Sequence, residues 1–266
     1  MKGRVLILAG SDSSGGAGIQ ADIKTVTVLG GYAATAITAL TAQNTQGVFG
    51  VLGIDPAFIL QQAELMLDDI GADCLKTGML HSVPVIEAVA GLLAGKAAGL
   101  PVVIDPVMIS QSGSRLLNED AVESLIKLLV PRATVLTPNI PEAEVLSGIR
   151  ISSEADMILA AEKIGAMGAN AVLLKGGHSD GSRIIDILWQ HDHGISGFEE
   201  DRIPSENNHG TGCTLASAIA TGIAQGLDLG DAVARARAYV REAIRTAPDF
   251  GKGNGPLNHA HPLTGE

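Results

Sequence analysis

Apolar residues along this chain fall into short continuous runs, separated by stretches in which they recur every third or fourth position. Val5–Ala9, Thr35–Leu40, Val48–Ile54, Cys74–Thr77, Val102–Ile104, Val135–Thr137 and Ala171–Leu174 are runs of the first kind. They predict strands covered on both faces, as in a parallel sheet. Ile184–Trp189 and Ile195–Ile203, joined by a turn at His191–Gly194, predict an antiparallel hairpin. The second kind of stretch predicts helices. Over 118–129, Val122, Leu125, Ile126 and Leu129 make one apolar face that Pro131 stops. Over 153–168, Ser153 with Asp156 marks the start, Met157, Ala160, Ala161 and Ile164 form the stripe, and Gly168 is the C-terminal cap. Segments 56–70, 82–99, 211–226 and 231–247 follow the same logic. Strand and helix alternate through short connections, without repeat or linker. The pattern predicts one α/β domain with helices on both faces of a mostly parallel sheet, and a site at the carboxyl ends of its strands.

Composition narrows the function. Hydrophobic residues are 46 % of the 266 and charged ones 18 %, which supplies a sizeable core. Aromatics are only 3 % against 33 glycines, a mix for tight turns and close packing rather than for stacking bases. The formal charge of −11 and the absence of a Lys/Arg cluster speak against a nucleic-acid partner and a cationic membrane helix. An anionic ligand must then be held by local donors and a metal ion, because the global field opposes it. Cys74 and Cys213, far apart, form neither a disulfide framework nor a zinc site. The apolar run near Met1 is too short for a signal peptide, and the charge-free stretch 210–227 is too polar to span a bilayer. A soluble, cytoplasmic protein is the expectation.

Two glycine motifs carry candidate chemistry. In residues 10–22, Gly16-x-Gly18-x-x-Ala21 imitates a dinucleotide fingerprint. The strand end at Ala9 lies too far from Gly16 for the tight turn, however, and 23–54 contains no Asp or Glu for a ribose. No Gly-Lys pair is followed by Ser or Thr, which excludes a Walker A loop. The second motif, His209-Gly210-Thr211-Gly212-Cys213, opens the charge-free helix 211–226. Unpaired N–H groups at Gly210, Thr211, Gly212 and Cys213, together with the helix dipole, form an anion site. Cys213 sits in the first turn, where a thiol pKa is expected to fall below its free value of about 8.5. Asn139 and Glu142 make a capping pair after the strand Val135–Thr137, and Glu142 is also placed to meet magnesium-bound water. Asp105 and Lys175 end two further strands at the same edge. These strand-end residues beside a glycine anion hole point to phosphoryl transfer. Two other classes compete. A Cys-dependent hydrolase would use Cys213 with His209 as base, although sequence neighbours at a helix start rarely face each other. A non-catalytic ligand-binding protein is the third.

Eight blocks in order resemble the hydroxymethylpyrimidine/phosphomethylpyrimidine kinases of the ribokinase superfamily. They are AGSDSSGGAGIQADIKT (9–25), ITALTAQNTQGV (37–48), KTGML (76–80), IDPVM (104–108), LTPNIPEAEVL (136–146), LLKGGH (173–178), HGTGCTLASAIA (209–220) and GNGPLNH (253–259). The resemblance implies a ribokinase-like fold, ATP and Mg²⁺ as cofactors, and two successive phosphorylations of a hydroxymethylpyrimidine in thiamine biosynthesis. It also implies a homodimer. By position, Gln43 and Asp22 would hydrogen-bond the pyrimidine, with Gly10, Met79 and Val107 lining its pocket. Gly210, Thr211, Gly212 and Cys213 match the anion hole, with Cys213 as base where most of the superfamily has Asp. Lys175 resembles the phosphate-binding lysine, Asn139 a nucleotide contact, and Asp105 and Glu142 the magnesium-water ligands. Lys252 and Asn254 stand where the family often has His. Pyridoxal kinases share the GTGC motif and are the alternative; their pocket generally lacks a glutamine at the position of Gln43.

Overall fold

The computed structural model describes residues 1–109, 113, 116–118, 120–177 and 181–264. His178 of the LLKGGH block and residue 119 of the helix expected over 118–129 lie outside them. Nine strands form one sheet among the described residues: β1 (Arg4–Asp12), β2 (Tyr32–Asn44), β3 (Gly47–Gly53), β4 (Cys74–Thr77), β5 (Val102–Ile104), β6 (Val135–Leu136), β7 (Ala171–Leu174), β8 (Arg183–Gln190) and β9 (Gly194–Asp201). Their order is β3-β2-β1-β4-β5-β6-β7-β8-β9. The pairings from β2 across to β7 are parallel, while β3, β8 and β9 join antiparallel at the two edges.

The α-helices among the described residues are α1 (Gly18–Val28), α2 (Pro56–Asp69), α3 (Val83–Ala94), α4 (Ala121–Ser124), α5 (Ile140–Ser147), α6 (Glu154–Gly165), α7 (Thr211–Ala224), α8 (Leu229–Arg245) and the short α9 (His261–Thr264). Alternation along β1 divides the core. Val5, Ile7 and Ala9 pack against α1, α7 and α8 through Val26, Ile219 and Val233. Leu6 and Leu8 face the other layer, where Ile59, Ile86 and Ile164 come from α2, α3 and α6. Successive residues of a strand point to opposite faces, so a strand buried on both sides has no polar alternate position.

Several expectations shift. Val48–Ile54 was expected to be a strand covered on both faces; β3 is instead antiparallel to β2 and largely exposed. The two strands are joined through Thr45 and Gln46, a connection too short for a parallel crossover. The helix expected over 118–129 is a single α-turn, α4, followed by a π-helical stretch Leu125–Leu129 and a 3₁₀ turn Val130–Arg132 that takes in Pro131. Helix α6 ends at Gly165 rather than at Gly168, whose left-handed φ of 112° belongs to the turn beyond. Helix α1 carries no clean apolar stripe, because its buried face includes Asp22 and Thr25. No helix among the described residues is long and apolar enough to cross a membrane.

Candidate active site

The carboxyl ends of β1, β4, β5, β6 and β7 meet the start of α7 around a cleft of about 200 Å³. Gly10, Gln43, Met79, Val107, Asp105, Asn139, Glu142, Lys175, Gly210, Thr211, Gly212 and Cys213 all line it. These residues span the chain from position 10 to 213, yet all lie near strand ends or helix starts at one edge of the sheet. That is where an open α/β fold places its ligands.

Lys175 follows β7 and reaches 3.1 Å from Asp105 Oδ1, which also accepts from the Thr137 hydroxyl at 3.0 Å. Burial works against the Lys175 ammonium, but Asp105 and Glu142 outweigh it and hold its pKa above the ordinary value. Gly212 permits this approach: a side-chain carbon there would sit 3.3 Å from Lys175 Nζ and 3.5 Å from Asp105 Oδ2. Gly210 caps α7 in the left-handed region, φ 82°, and a side chain on it would collide with the Gly16 carbonyl. The N–H of Thr211 turns back to the Asn208 carbonyl at 3.3 Å, while among the described residues nothing accepts from the N–H of Gly212 or Cys213. Helix α7 is buried along most of its length and free of charged residues, so its dipole is poorly screened at this end.

Asn139 and Glu142 hold each other as a capping box, Asn139 Oδ1 accepting from the Glu142 N–H and Glu142 Oε2 from the Asn139 N–H, each at 2.9 Å. The same Glu142 lines the cleft, so the cap does not bar it from meeting a ligand there. Burial pushes its carboxyl up to about 7, with Lys175 opposing and Asp105 adding to the shift. A raised pKa means that the ionised carboxylate opposes folding as pH rises through about 7. Glu142→Gln, which keeps the capping acceptor, is therefore expected to melt no lower than wild type above neutral pH. Its activity is expected to need more Mg²⁺. A thermal melt and a Mg²⁺ titration of the rate check this; early melting with an unmoved Mg²⁺ curve would leave Glu142 as a cap alone.

Asp22 is the residue the structure takes out of the pocket. Its carboxylate is fully buried beneath the cleft floor, both oxygens lie 3.0 Å from Lys76 Nζ, and Oδ1 accepts from the Ser217 hydroxyl at 2.7 Å. Lys76 is also wholly buried; burial opposes its charge and the Asp22 carboxylate overcomes that, raising its pKa. Asp22 therefore neutralises a buried cation and does not line the cleft.

Cys213 departs from the lowered thiol pKa expected at a helix start. Burial pushes it up to about 11; Lys76 pulls the other way, while Asp22 and Asp105 add to the rise. The thiol keeps its proton at neutral pH, which disfavours a resting thiolate nucleophile. Asp12 Oδ2 lies 2.8 Å from His209 Nε2, but no hydrogen bond joins the His209 ring to Cys213 among the described residues. The geometry of a Cys–His hydrolase is not assembled.

Sequence reasoning passed over Asp12 and Asn208. Asp12 gathers the N–H groups of Ser14, Gly16 and Ala17. A side chain on Gly16 would strike the His209 ring. The glycines of this loop thus let it close around His209 and Gly210 rather than cradle a dinucleotide. The spacing Asp12-x-Ser14-x-Gly16 was a readable sign of a side chain folded back onto its own loop. Asn208 borders both this cleft and a second cavity of about 250 Å³, and its Oδ1 is buried without a protein partner. The second cavity lies between the β8–β9 hairpin and α8, and Lys175, Gly177 and Thr211 also border both. Near the C-terminus, the backbone N–H groups of Lys252 and Gly253 donate to Thr45 Oγ1, and the Gly255 carbonyl accepts from the His209 N–H. This segment ties the tip of the β2–β3 hairpin to the loop before α7 through its backbone, which makes no demand on the side chains of Lys252 or Asn254.

A mostly parallel sheet in this order, with two cavities meeting at a glycine-rich helix start beside a lysine and two carboxylates, defines a small-molecule kinase of the ribokinase-like fold. Comparison with known proteins narrows the class. The family model described as phosphomethylpyrimidine kinase matches residues 12–258, and the chain belongs to that family. It is 50 % identical to a thiamine biosynthesis bifunctional protein of Geobacter sulfurreducens over 97 % of this chain, and spans about half, 52 %, of that longer relative. It is 44 % identical to the hydroxymethylpyrimidine/phosphomethylpyrimidine kinase of Rhizobium meliloti, over 96 % of each. Among solved structures, the pyridoxal kinase of Bacillus subtilis in its ADP complex superposes with a TM-score of 0.90 at 36 % identity, over 98 % of both chains.

Proposed function

We propose that this kinase phosphorylates 4-amino-5-hydroxymethyl-2-methylpyrimidine, and then its monophosphate, with ATP and Mg²⁺. The observation that carries the reading is Gln43 on the cleft wall, with the anion hole and Cys213 lining the same cleft. A carboxamide offers a donor and an acceptor side by side, which matches a ring nitrogen next to an amino group. The hydroxymethyl carbon then lies toward Cys213.

ATP would occupy the second cavity and bring its phosphates to the start of α7. The unpaired N–H groups of Gly212 and Cys213 and the unpartnered Asn208 Oδ1 are available to them there. The B. subtilis relative's ADP complex supports nucleotide use. No cluster of three or more His, Cys, Asp or Glu side chains forms a metal cage among the described residues. Asp105 and Glu142 suit a cation that arrives with phosphates and keeps its water. Bound there, Mg²⁺ would neutralise charge on the phosphates.

In the transfer, the alcohol oxygen bonds to the γ-phosphorus as the bond to the ADP oxygen breaks, and the alcohol proton passes to the Cys213 sulfur. Lys175 and the N–H groups of α7 hold the migrating group in line. The loose transition state places little charge on the attacking oxygen, so a minority thiolate is an adequate base. Leu52 and Phe49 of β3 and Phe58 of α2 are exposed large apolar side chains, at 64, 72 and 56 %, and support assembly as a homodimer through this edge.

Coupled ADP release with the hydroxymethylpyrimidine, its monophosphate and pyridoxal, side by side, tests the assignment. The two pyrimidines are expected to exceed pyridoxal in kcat/KM by about 10²-fold or more, the scale on which unpaired buried polar groups discriminate. Preference for pyridoxal would replace this reading by that of a pyridoxal kinase.

A further inference from the structure

Gln43 and His209 meet on the cleft wall in a way that constrains both. His209 Nε2 lies 2.8 Å from Asp12 Oδ2 and 3.3 Å from the Gln43 carboxamide, whose nitrogen is placed on that side and whose oxygen is placed toward Thr41. The other end of that amide lies 3.1 Å from Thr41 Oγ1, which is itself 3.0 Å from the Ser11 carbonyl. Burial works against ionisation of Asp12, but bonds from His209, Ser14 and Ala17 bring its carboxyl down to about 2. A carboxylate only accepts, so His209 Nε2 carries a hydrogen.

Two orientations of the amide remain, and the network distinguishes them. With its nitrogen toward His209, two donors confront each other, and the single Thr41 hydrogen is claimed by both the Ser11 carbonyl and the Gln43 oxygen. With its oxygen toward His209, the imidazole N–H is shared between Asp12 and Gln43. Thr41 then donates to Ser11 and accepts from the Gln43 nitrogen. Only this arrangement satisfies every group. The imidazole has no room to turn away, since Gly16 lies against its ring and the His209 backbone N–H is held by Gly255 at 3.1 Å.

We propose that the Asp12–His209 pair is a specificity-determining element, which locks Gln43 with its oxygen toward His209 and its nitrogen toward Thr41. The site then reads a ring edge bearing donor and acceptor in one order only. A 4-aminopyrimidine offers an amino donor beside a ring-nitrogen acceptor; its 4-oxo counterpart offers a carbonyl acceptor beside an N–H donor, the reverse order. The inference rests on the pyrimidine reading for its substrate, but not for the state of the histidine.

The test compares kcat/KM for the 4-amino substrate and its 4-oxo counterpart in wild type and His209→Ala. Wild type is expected to favour the amino ring by about 10²–10⁴-fold, because the wrong order leaves buried polar groups unpaired. In His209→Ala the amide turns freely, and the preference falls at least about tenfold while the KM for ATP holds. If both substrates lose the same factor and the preference stands, His209 is a packing residue and the proposal fails. A nitrogen-15 NMR spectrum of the substrate-free wild type decides the lock independently. A hydrogen on His209 Nε2 supports it, and a hydrogen on Nδ1 alone overturns it. Wild type that accepts neither pyrimidine sinks the substrate reading instead, and the spectrum still rules on the lock.

Discussion

Cys213→Ala is expected to lower kcat by about 10²–10⁴-fold while leaving nucleotide binding nearly intact. The backbone N–H groups at the start of α7 survive the change, because none of them depends on the sulfur. The raised thiol pKa gives the expectation a sign. Below about 11, the basic form of Cys213 grows roughly tenfold per pH unit. Wild-type kcat should therefore climb with pH across neutrality, and the variant's residual rate should lose that slope. Cys213→Asp should recover part of the loss, with a much flatter profile, since its carboxylate ionises more readily than a thiol. Steady-state kinetics over a pH series separates these outcomes. Near-full kcat in Cys213→Ala would leave the residue as packing, and a covalent adduct seen by intact mass during turnover would restore the nucleophile reading.

Asp22→Asn is expected to destabilise the fold by roughly 3–5 kcal/mol, the cost of stranding one member of a buried ion pair. Lys76 cannot reach water: its side chain and that of Asp22 are both at 0 % exposure. An asparagine keeps hydrogen-bonding capacity toward Ser217 but removes the charge that holds the ammonium ionised. Urea unfolding should show a lower midpoint with an unchanged slope. Replacing both partners by apolar groups, Asp22→Leu with Lys76→Met, should recover much of the loss, because no uncompensated charge remains. A variant Asp22→Asn of wild-type stability that raises the KM for the pyrimidine alone would mean that Asp22 reaches the substrate after all.

The two residues show where sequence reasoning carries and where it stops. The place of Cys213 at the cleft was legible because it follows from local order: a glycine-rich loop, then a helix start, then a charge-free helix. Its pKa was not, because that depends on Lys76, Asp22 and Asp105, three side chains from distant parts of the chain. Resemblance put Asp22 beside Gln43 in the pocket, and tertiary packing instead gave it to Lys76. Asp12 was passed over because an acidic residue in a glycine-rich loop looks like solvated punctuation until His209, 197 positions away, is brought against it.

The antiparallel β3 was misjudged for a related reason. A continuous apolar run signals burial on both faces only if something covers them, and whether a neighbour exists is a property of the sheet and not of the strand. The fold class, most element boundaries, the hairpin of β8 and β9, and the strand-end placement of Asp105, Glu142 and Lys175 were determined by sequence alone. Periodicity, caps and turn residues act within a few positions, and a doubly wound sheet converts strand ends into one edge. The tertiary structure decided what depends on distance in space rather than along the chain. It set which carboxylate pairs with which cation, how far burial moves each proton, and which side chains meet the Gln43 amide. Desolvation and charge–charge interaction act through space, and no local pattern of residues encodes them.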